Sequence, residues 1–112
     1  MIKKYAGSNY TIVHVKKDIY GITQRIDRTS QWGNPFHLSD AKDDKLREEC
    51  VAKYKVWLWW MIQSGNTQML DDLIAKRRAN GDHLTLGCWC APRLCHGDVL
   101  AAACDWWEQQ NK

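Results

Sequence analysis

Three cysteines and a histidine lie close together in residues 88–98, which read CWCAPRLCHGD. Thiolates and imidazole nitrogens are ligands that zinc prefers, and Cys88 and Cys90 would point to the same side of an extended strand. With Cys95 they form a candidate zinc site. The spacing differs from that of a zinc finger, because no second pair of closely spaced cysteines follows. Buried core thiols are therefore the competing interpretation.

The end of the same segment contains groups suited to acid–base or nucleophilic chemistry. Cys95, His96 and Asp98 lie where a helix is predicted to begin. Backbone N–H groups at such a position attract anions and favour the thiolate form of a cysteine. We interpret Cys95 as a candidate nucleophile, His96 as a candidate acid or base, and Asp98 as the third member of the catalytic set. For Asp98 alone, stabilisation of the helix N-terminus is a sufficient explanation.

A second candidate loop contains the run GNPF at residues 33–36, which is typical of a rigid turn. In a binding site, Gly33 would let a ligand approach the backbone and Asn34 would present its amide. Nearby polar side chains suit recognition of a phosphate or carboxylate. In the two segments these are Arg28, Ser30 and Arg93.

The strands predicted around these loops place both loops at one edge of a sheet. β-Branched or alternating apolar residues predict strands at 11–15 and 84–90, and 19–26 would form a strand or an extended loop. The polar stretch 28–44 is predicted as a loop. Ligands of parallel sheets bind beyond the carboxyl ends of the strands, and both candidate loops follow such ends.

Apolar residues at steps of three and four predict helices at about 46–62 and 67–79, and a third that starts near 96–98. Gly65 and Gly81 are expected to end the first two. The apolar face of the first helix comprises Leu46, Cys50, Val51, Tyr54, Trp57, Leu58, Met61 and Ile62. The order of elements predicts an α/β fold with at least two parallel strands covered by about three helices.

Length and composition predict a single α/β domain spanning residues 1–112. The net charge of +3 does not favour nucleic-acid binding. We interpret the densest basic group, Lys76-Arg77-Arg78, as a solvated helix end. No signal peptide and no segment long enough to span a bilayer are evident, so we expect a cytoplasmic protein without membrane contact.

Seven tryptophans are unusual in 112 residues. Four of them exceed what one core needs, which favours a contact surface for another protein or for a second copy of the chain in a homodimer. These four are Trp59, Trp60, Trp106 and Trp107. In this interpretation the cysteine cluster is structural, with or without zinc.

Taken together, the motifs resemble the domain-of-unknown-function family numbered 4326, which occurs mostly in bacteriophages and bacteria. The resemblance extends from Thr11 onwards. It rests on RxSxxGNPF at 28–36, YxxWL at 54–58 and CWCAPxxCHGDVL at 88–100. It implies a compact α/β domain of phage origin, acting in the host cytoplasm, and supplies no activity. The family usually has a Tyr-Ile-Gly-Arg-like run where this chain has Arg25-Ile26-Asp27-Arg28, which leaves the role of Arg28 open.

Two functions follow from the sequence. The first is binding or processing of a nucleotide-like small molecule by the two loops, with hydrolysis, group transfer and simple binding all left open. The alternative is a phage-encoded protein that binds a host protein through a tryptophan-rich surface. Nucleic-acid binding is the least favoured, because no basic stripe accompanies the aromatic residues.

Overall fold

The computed structural model describes residues 3–6, 9–14, 24–27, 30–36, 43–88 and 96–110. The elements in chain order are β1 (Lys3–Ala6), β2 (Tyr10–His14), β3 (Gln24–Arg25), α1 (Asp44–Gln63), α2 (Gln68–Ala79), β4 (Leu84–Cys88) and α3 (His96–Gln110). The predicted α/β class and the three helices are confirmed. β1 was not anticipated from the sequence.

The four strands form one sheet in the order β1-β2-β4-β3. β2 runs parallel to β4, with Tyr10 opposite Leu84, and β3 runs parallel to β4, with Arg25 opposite Gly87. β1 pairs antiparallel with β2. Because three strands are parallel, β2, β3 and β4 all end at the same edge of the sheet.

One face of β4 is packed into the core. Leu84, Leu86 and Cys88 are buried there, as their alternation along the strand predicted. They contact buried side chains from all three helices in one continuous cluster, which includes Tyr54, Leu58, Leu70, Leu73, Leu100 and Cys104. The core therefore joins the sheet to all three helices.

Local sequence signals explain the helix ends. The Asp43 side chain caps α1 by accepting hydrogen bonds from the backbone N–H groups of Lys45 and Leu46, at 3.0 and 3.1 Å. Gly65 and Gly81 have φ of 83° and 68°, a left-handed conformation that glycine adopts without strain. Both lie directly after helices, as expected. No helix of the described residues is long and apolar enough to cross a membrane.

The interpretation of Lys76-Arg77-Arg78 as a solvated helix end is wrong for Arg77. Lys76 and Arg78 are exposed, but Arg77 is only 3% exposed. Its Nη1 and Nη2 atoms donate to the two carboxylate oxygens of Glu108 at 3.0 and 2.9 Å, which ties α2 to α3. The reason is helical periodicity: position 77 follows the buried Leu73 by four residues and therefore shares its face.

Candidate functional site

The two candidate loops start from neighbouring parallel strands. The chain leaves β3 at Arg25 and reaches residues 30–36, which we call loop 30–36. β4, the next strand in the sheet, ends at Cys88, and α3 begins at His96. Both segments therefore leave the carboxyl edge of the sheet, where α/β proteins commonly bind ligands.

His96, the first residue of α3, connects the two segments. Its side chain is buried, and its Nε2 lies 2.6 Å from the carbonyl oxygen of Ile26, directly after β3. A carbonyl can only accept, so Nε2 carries the hydrogen in this bond, and Nδ1 is the nitrogen that would take up or release a proton. The imidazole ring also meets the Tyr54 ring edge-on, with 5.0 Å between centroids.

Tyr54 of α1 holds loop 30–36 next to His96. Its hydroxyl donates a hydrogen bond of 3.0 Å to the carbonyl oxygen of Trp32. The indole N–H of Trp32 in turn donates to the carbonyl oxygen of Met69 in α2, at 2.8 Å. All three side chains are buried. Sequence analysis placed Tyr54 on the apolar face of its helix and did not assign it to the site.

Ser30 and Gly33 form a hydrogen-bonded turn at the start of the loop. The Ser30 hydroxyl donates to the carbonyl oxygen of Asp27 at 2.8 Å and accepts from the backbone N–H of Trp32 at 3.3 Å. The backbone N–H of Gly33 donates to the carbonyl oxygen of Ser30 at 3.2 Å. These bonds shape the loop, and the predicted contact of Ser30 and Gly33 with a ligand stays a prediction.

Asn34 fixes the end of the loop on α1. Its Oδ1 accepts from the backbone N–H of Phe36 at 2.9 Å, and its Nδ2 points to the carbonyl oxygen and Sγ of Cys50 at 3.4 and 3.5 Å. The Cys50 thiol donates to the carbonyl oxygen of Phe36 at 3.3 Å. Asn34 thus has a positioning role within the chain, and its predicted role in ligand binding stays a prediction.

A buried carboxylate lies where the chain leaves β3. Asp27 is buried, and Arg25 donates to its Oδ2 from Nε at 3.1 Å and from Nη2. Half of the Arg25 side chain is exposed. This pair balances the charge close to the Ile26 carbonyl group that His96 contacts.

Arg47 adds a second buried charge on the α1 face that meets loop 30–36. It is 4% exposed, and its Nε lies 3.8 Å from Oδ1 of Asp44, an ion-pair contact longer than a hydrogen bond. The sequence predicted Leu46 as the first buried residue of this helix face. Leu46 is only half-buried, and the first buried residue is Arg47. Helical periodicity was the available signal, since Arg47 precedes Cys50 by three residues and Tyr54 by seven.

Of the predicted catalytic set, the structure describes His96 and Asp98. Asp98 is half-buried in the first turn of α3, two residues after His96, and side chains with this spacing do not face each other on a helix. Asp98 instead lines a groove between α1 and α3, together with Lys55. Cys95, the third member, lies outside the described residues.

Of the proposed zinc ligands, the structure describes only Cys88, a buried free thiol at the end of β4. Cys90 and Cys95 lie outside the described residues, as do Arg28 and Arg93. In the part of the chain that is described, no group of three or more His, Cys, Asp or Glu residues could hold a metal ion. The zinc site therefore stays a prediction.

The largest shifts of pKa among the described groups occur at the opposite edge of the sheet. Hydrogen bonds from Arg77 lower the pKa of Glu108 to about 2, and burial raises the pKa of the Cys104 thiol to about 12. Burial also raises the pKa of Tyr10, whose hydroxyl accepts a hydrogen bond of 3.4 Å from Arg77. These groups link β2, α2 and α3, and we assign them a structural role.

A comparison with known protein families identifies the family of this chain. A family model described as "Domain of unknown function (DUF4326)" matches residues 13–106, which include both candidate loops. The chain belongs to this family. The resemblance seen in the motifs is thereby confirmed, and the description of DUF4326 assigns no activity. No curated protein and no solved structure gives a significant match.

Proposed function

We propose that this DUF4326 protein binds or processes a nucleotide-like small molecule at the carboxyl edge of β3 and β4. The observation that carries the proposal is the contact of His96 with the Ile26 carbonyl oxygen and the Tyr54 ring. His96 contacts the exit of β3 directly, and Tyr54, whose ring packs against the imidazole, also binds the Trp32 carbonyl group of loop 30–36. This edge is where parallel α/β sheets commonly hold nucleotides.

In the proposed site, one set of residues binds the ligand and another takes part in the reaction. Ser30, Gly33 and Asn34 give loop 30–36 its shape and face the ligand, while Arg28 and Arg93 bind its phosphate groups. His96 exchanges a proton through Nδ1, because Nε2 is held by Ile26.

The chemistry proposed for the 88–98 segment has two forms. In one, Cys95 acts as the nucleophile and Asp98 supports it from the first turn of α3. In the other, Cys95 joins Cys88 and Cys90 around a zinc ion, since thiolates are donors that zinc prefers. The two forms exclude each other, because a thiolate bound to zinc is less available for attack.

Calorimetric titration with a panel of nucleosides and nucleotides tests the proposal. The double variant Asn34→Ala, His96→Gln should lose most of the affinity or turnover of the unaltered protein. Glutamine can still donate to the Ile26 carbonyl group, so the fold is expected to survive. His83→Gln is the matched control, because His83 hydrogen-bonds Thr11 near the opposite edge. Unchanged binding and turnover in the double variant would contradict the proposed site.

A second candidate function, binding of a host protein, is supported by exposed aromatic side chains on α1 and α3. Trp59 is 51% exposed, Trp60 63% and Trp106 39%, and the neighbouring Val56 is 69% exposed. The Trp59 and Trp106 rings meet edge-on at 5.6 Å, beside a groove of about 440 Å³ between the two helices. We call Val56, Trp59, Trp60 and Trp106 the tryptophan surface.

Trp107 does not extend this surface. It is partly buried against the core, and its indole N–H donates to the Asp71 carboxylate at 2.8 Å.

Photo-crosslinking from position 60, with the exposed position 45 on the same helix as control, tests the host-protein function. A partner captured only from position 60 would support it. Crosslinks to a second copy would indicate a homodimer, and identical products from both positions would rule out a specific surface.

A further inference from the structure

We infer that Val56, Trp59 and Trp60 of the tryptophan surface are covered by a second copy of this chain, in a symmetric dimer that pairs the two α1 helices antiparallel across Val56. This inference does not depend on the nucleotide-like site. It assigns to a second copy the surface that the host-protein function would assign to another protein.

Val56 lies at the middle of the outer face of α1. It is 69% exposed, whereas Tyr54 and Leu58, two residues to either side, are buried in the core. The exposed Ala52 precedes Val56 by about one turn, and the exposed Trp60 follows it by about one turn. A row of exposed apolar side chains along one helix face is the arrangement with which two helices pack together.

Two-fold symmetry determines which residues would meet in this dimer. When one residue contacts a second residue of the other copy, the reverse contact forms as well. With Val56 on the axis of an antiparallel pair, positions equally far from it on opposite sides meet, so Trp60 of each copy lies against Ala52 of the other. A large side chain therefore meets a small one at two identical places, which allows the helices to interdigitate.

A groove on α1 provides space for the Trp60 side chain of the second copy. It has a volume of about 500 Å³. Among the described residues it is lined by Phe36, Ala52, Lys53, Val56, Trp57 and Trp60. The incoming indole would enter at the end formed by Ala52 and Lys53, where the lysine ammonium group can lie over the face of the ring. The paired surfaces are thus complementary in shape and in electrostatics.

The exposed apolar area is of the size that a dimer needs. Trp59 is 51% exposed and Trp60 63%, so with about 250 Å² for a whole tryptophan side chain they expose roughly 300 Å² per copy. Two copies together contribute roughly 600 Å², about half of the ~1,200 Å² at which standard interfaces begin. Val56, Ala52 and the groove wall at Phe36 extend the contact in both copies.

Sedimentation velocity over a dilution series tests the dimer. We expect a reversible monomer–dimer equilibrium with a dissociation constant of about 1–100 µM, as for interfaces at the small end of the range. Trp60→Ala should raise this constant at least about 10-fold, since a central tryptophan commonly dominates an interface. Ala52→Trp, which fills the groove, should do the same. Trp106→Ala is the matched control, because it removes an exposed tryptophan from α3, outside the α1 pairing.

The charge at position 63 tests the antiparallel register. Gln63 lies seven residues after Val56 and would face Glu49 of the second copy, seven residues before it, and both are exposed. Gln63→Lys should therefore tighten the dimer and Gln63→Glu should weaken it, each by about 2- to 10-fold at low salt, because two symmetric contacts change together. Effects of the same sign in both variants, or none, would overturn the register and with it the inference.

The remaining outcomes are also decisive. A monomer at every concentration would overturn the inference and leave the tryptophan surface to another protein. A dimer that Trp60→Ala and Trp106→Ala weaken equally would overturn it too, because the contact would then not be specific to α1. The substituted positions are exposed, and circular dichroism verifies that each variant is folded. Nucleotide titration of the same samples reports on the proposed function separately.

Discussion

The Nε2 atom of His96 donates a hydrogen bond of 2.6 Å to the carbonyl oxygen of Ile26, seventy residues earlier in the chain. This bond joins the start of α3 to the exit of β3, and the Tyr54 ring packs against the same imidazole. The proposed site at this edge of the sheet depends on this contact.

His96→Phe should destabilise the protein by about 1–3 kcal/mol, because it leaves the Ile26 carbonyl group without its donor. His96→Gln should cost less, since the amide of glutamine can still donate. Urea denaturation of both variants measures the difference. Equal stability of the two variants would show that the hydrogen bond contributes little and that ring packing dominates.

Tyr54→Phe removes only the hydroxyl that binds the Trp32 carbonyl oxygen. We expect a loss of about 1 kcal/mol in the free energy of unfolding, together with faster hydrogen exchange in loop 30–36. Exchange followed by mass spectrometry reports both effects. The amides of α2 serve as the internal control. If α2 and the loop change alike, Tyr54 stabilises the whole fold and not the loop in particular.

Glu108→Gln should weaken the link between α2 and α3 by about 2–3 kcal/mol at neutral pH, because a charged hydrogen-bond partner of the buried Arg77 is lost. The pKa of Glu108 is lowered from 4.5 to about 2 in the folded protein. Its contribution is therefore fully present above the unfolded pKa and declines as the pH falls from about 4.5 towards 2.

Denaturation curves of the unaltered protein and Glu108→Gln at a series of pH values check this dependence. The difference between them should be constant from pH 5 to 7 and shrink below about 4.5. A difference that persists undiminished at pH 2 would contradict the ion-pair assignment. The groups facing this carboxylate include Arg77, Arg78 and Asp105.

Cys104 should resist alkylation in the folded protein, because burial raises the pKa of its thiol to about 12 and keeps reagents away. The proposed nucleophile Cys95 should react first. Peptide mapping after brief iodoacetamide treatment at pH 8 distinguishes the five cysteines. Labelling of Cys104 at the rate found in urea would contradict its place in the core. Slow labelling of Cys95 that a chelator accelerates would favour the zinc-bound form.

Much of the fold could be predicted because single elements carry strong periodic signals. The alternation of Leu84, Leu86 and Cys88 identified β4, and steps of three and four identified α1 and α2 with their terminal glycines. β1 gave no such signal, since a strand of only four residues, Lys3–Ala6, is defined by pairing with β2 and not by its own pattern.

The sequence indicated which segments form the candidate site, but not which side chains contact each other there. Motif spacing identified His96 and Asn34, and parallel-sheet topology placed their loops at one edge. Arg77 was misjudged because its charge was taken as a sign of exposure, although it lies four residues after the buried Leu73. The burial of Arg47 was not predicted. Tyr54 was read as core because a buried tyrosine hydroxyl with a backbone partner cannot be recognised from residue type alone.

The most direct test of the central claim is native mass spectrometry of the purified, untagged protein before and after incubation with a nucleotide panel. We predict a noncovalent mass increase of one nucleotide per chain that disappears on denaturation and is lost in Asn34→Ala, His96→Gln. The same spectra reveal bound zinc or a dimer. A bare monomer mass with every nucleotide tested, from a protein that is fully folded, would contradict the proposed nucleotide-like site.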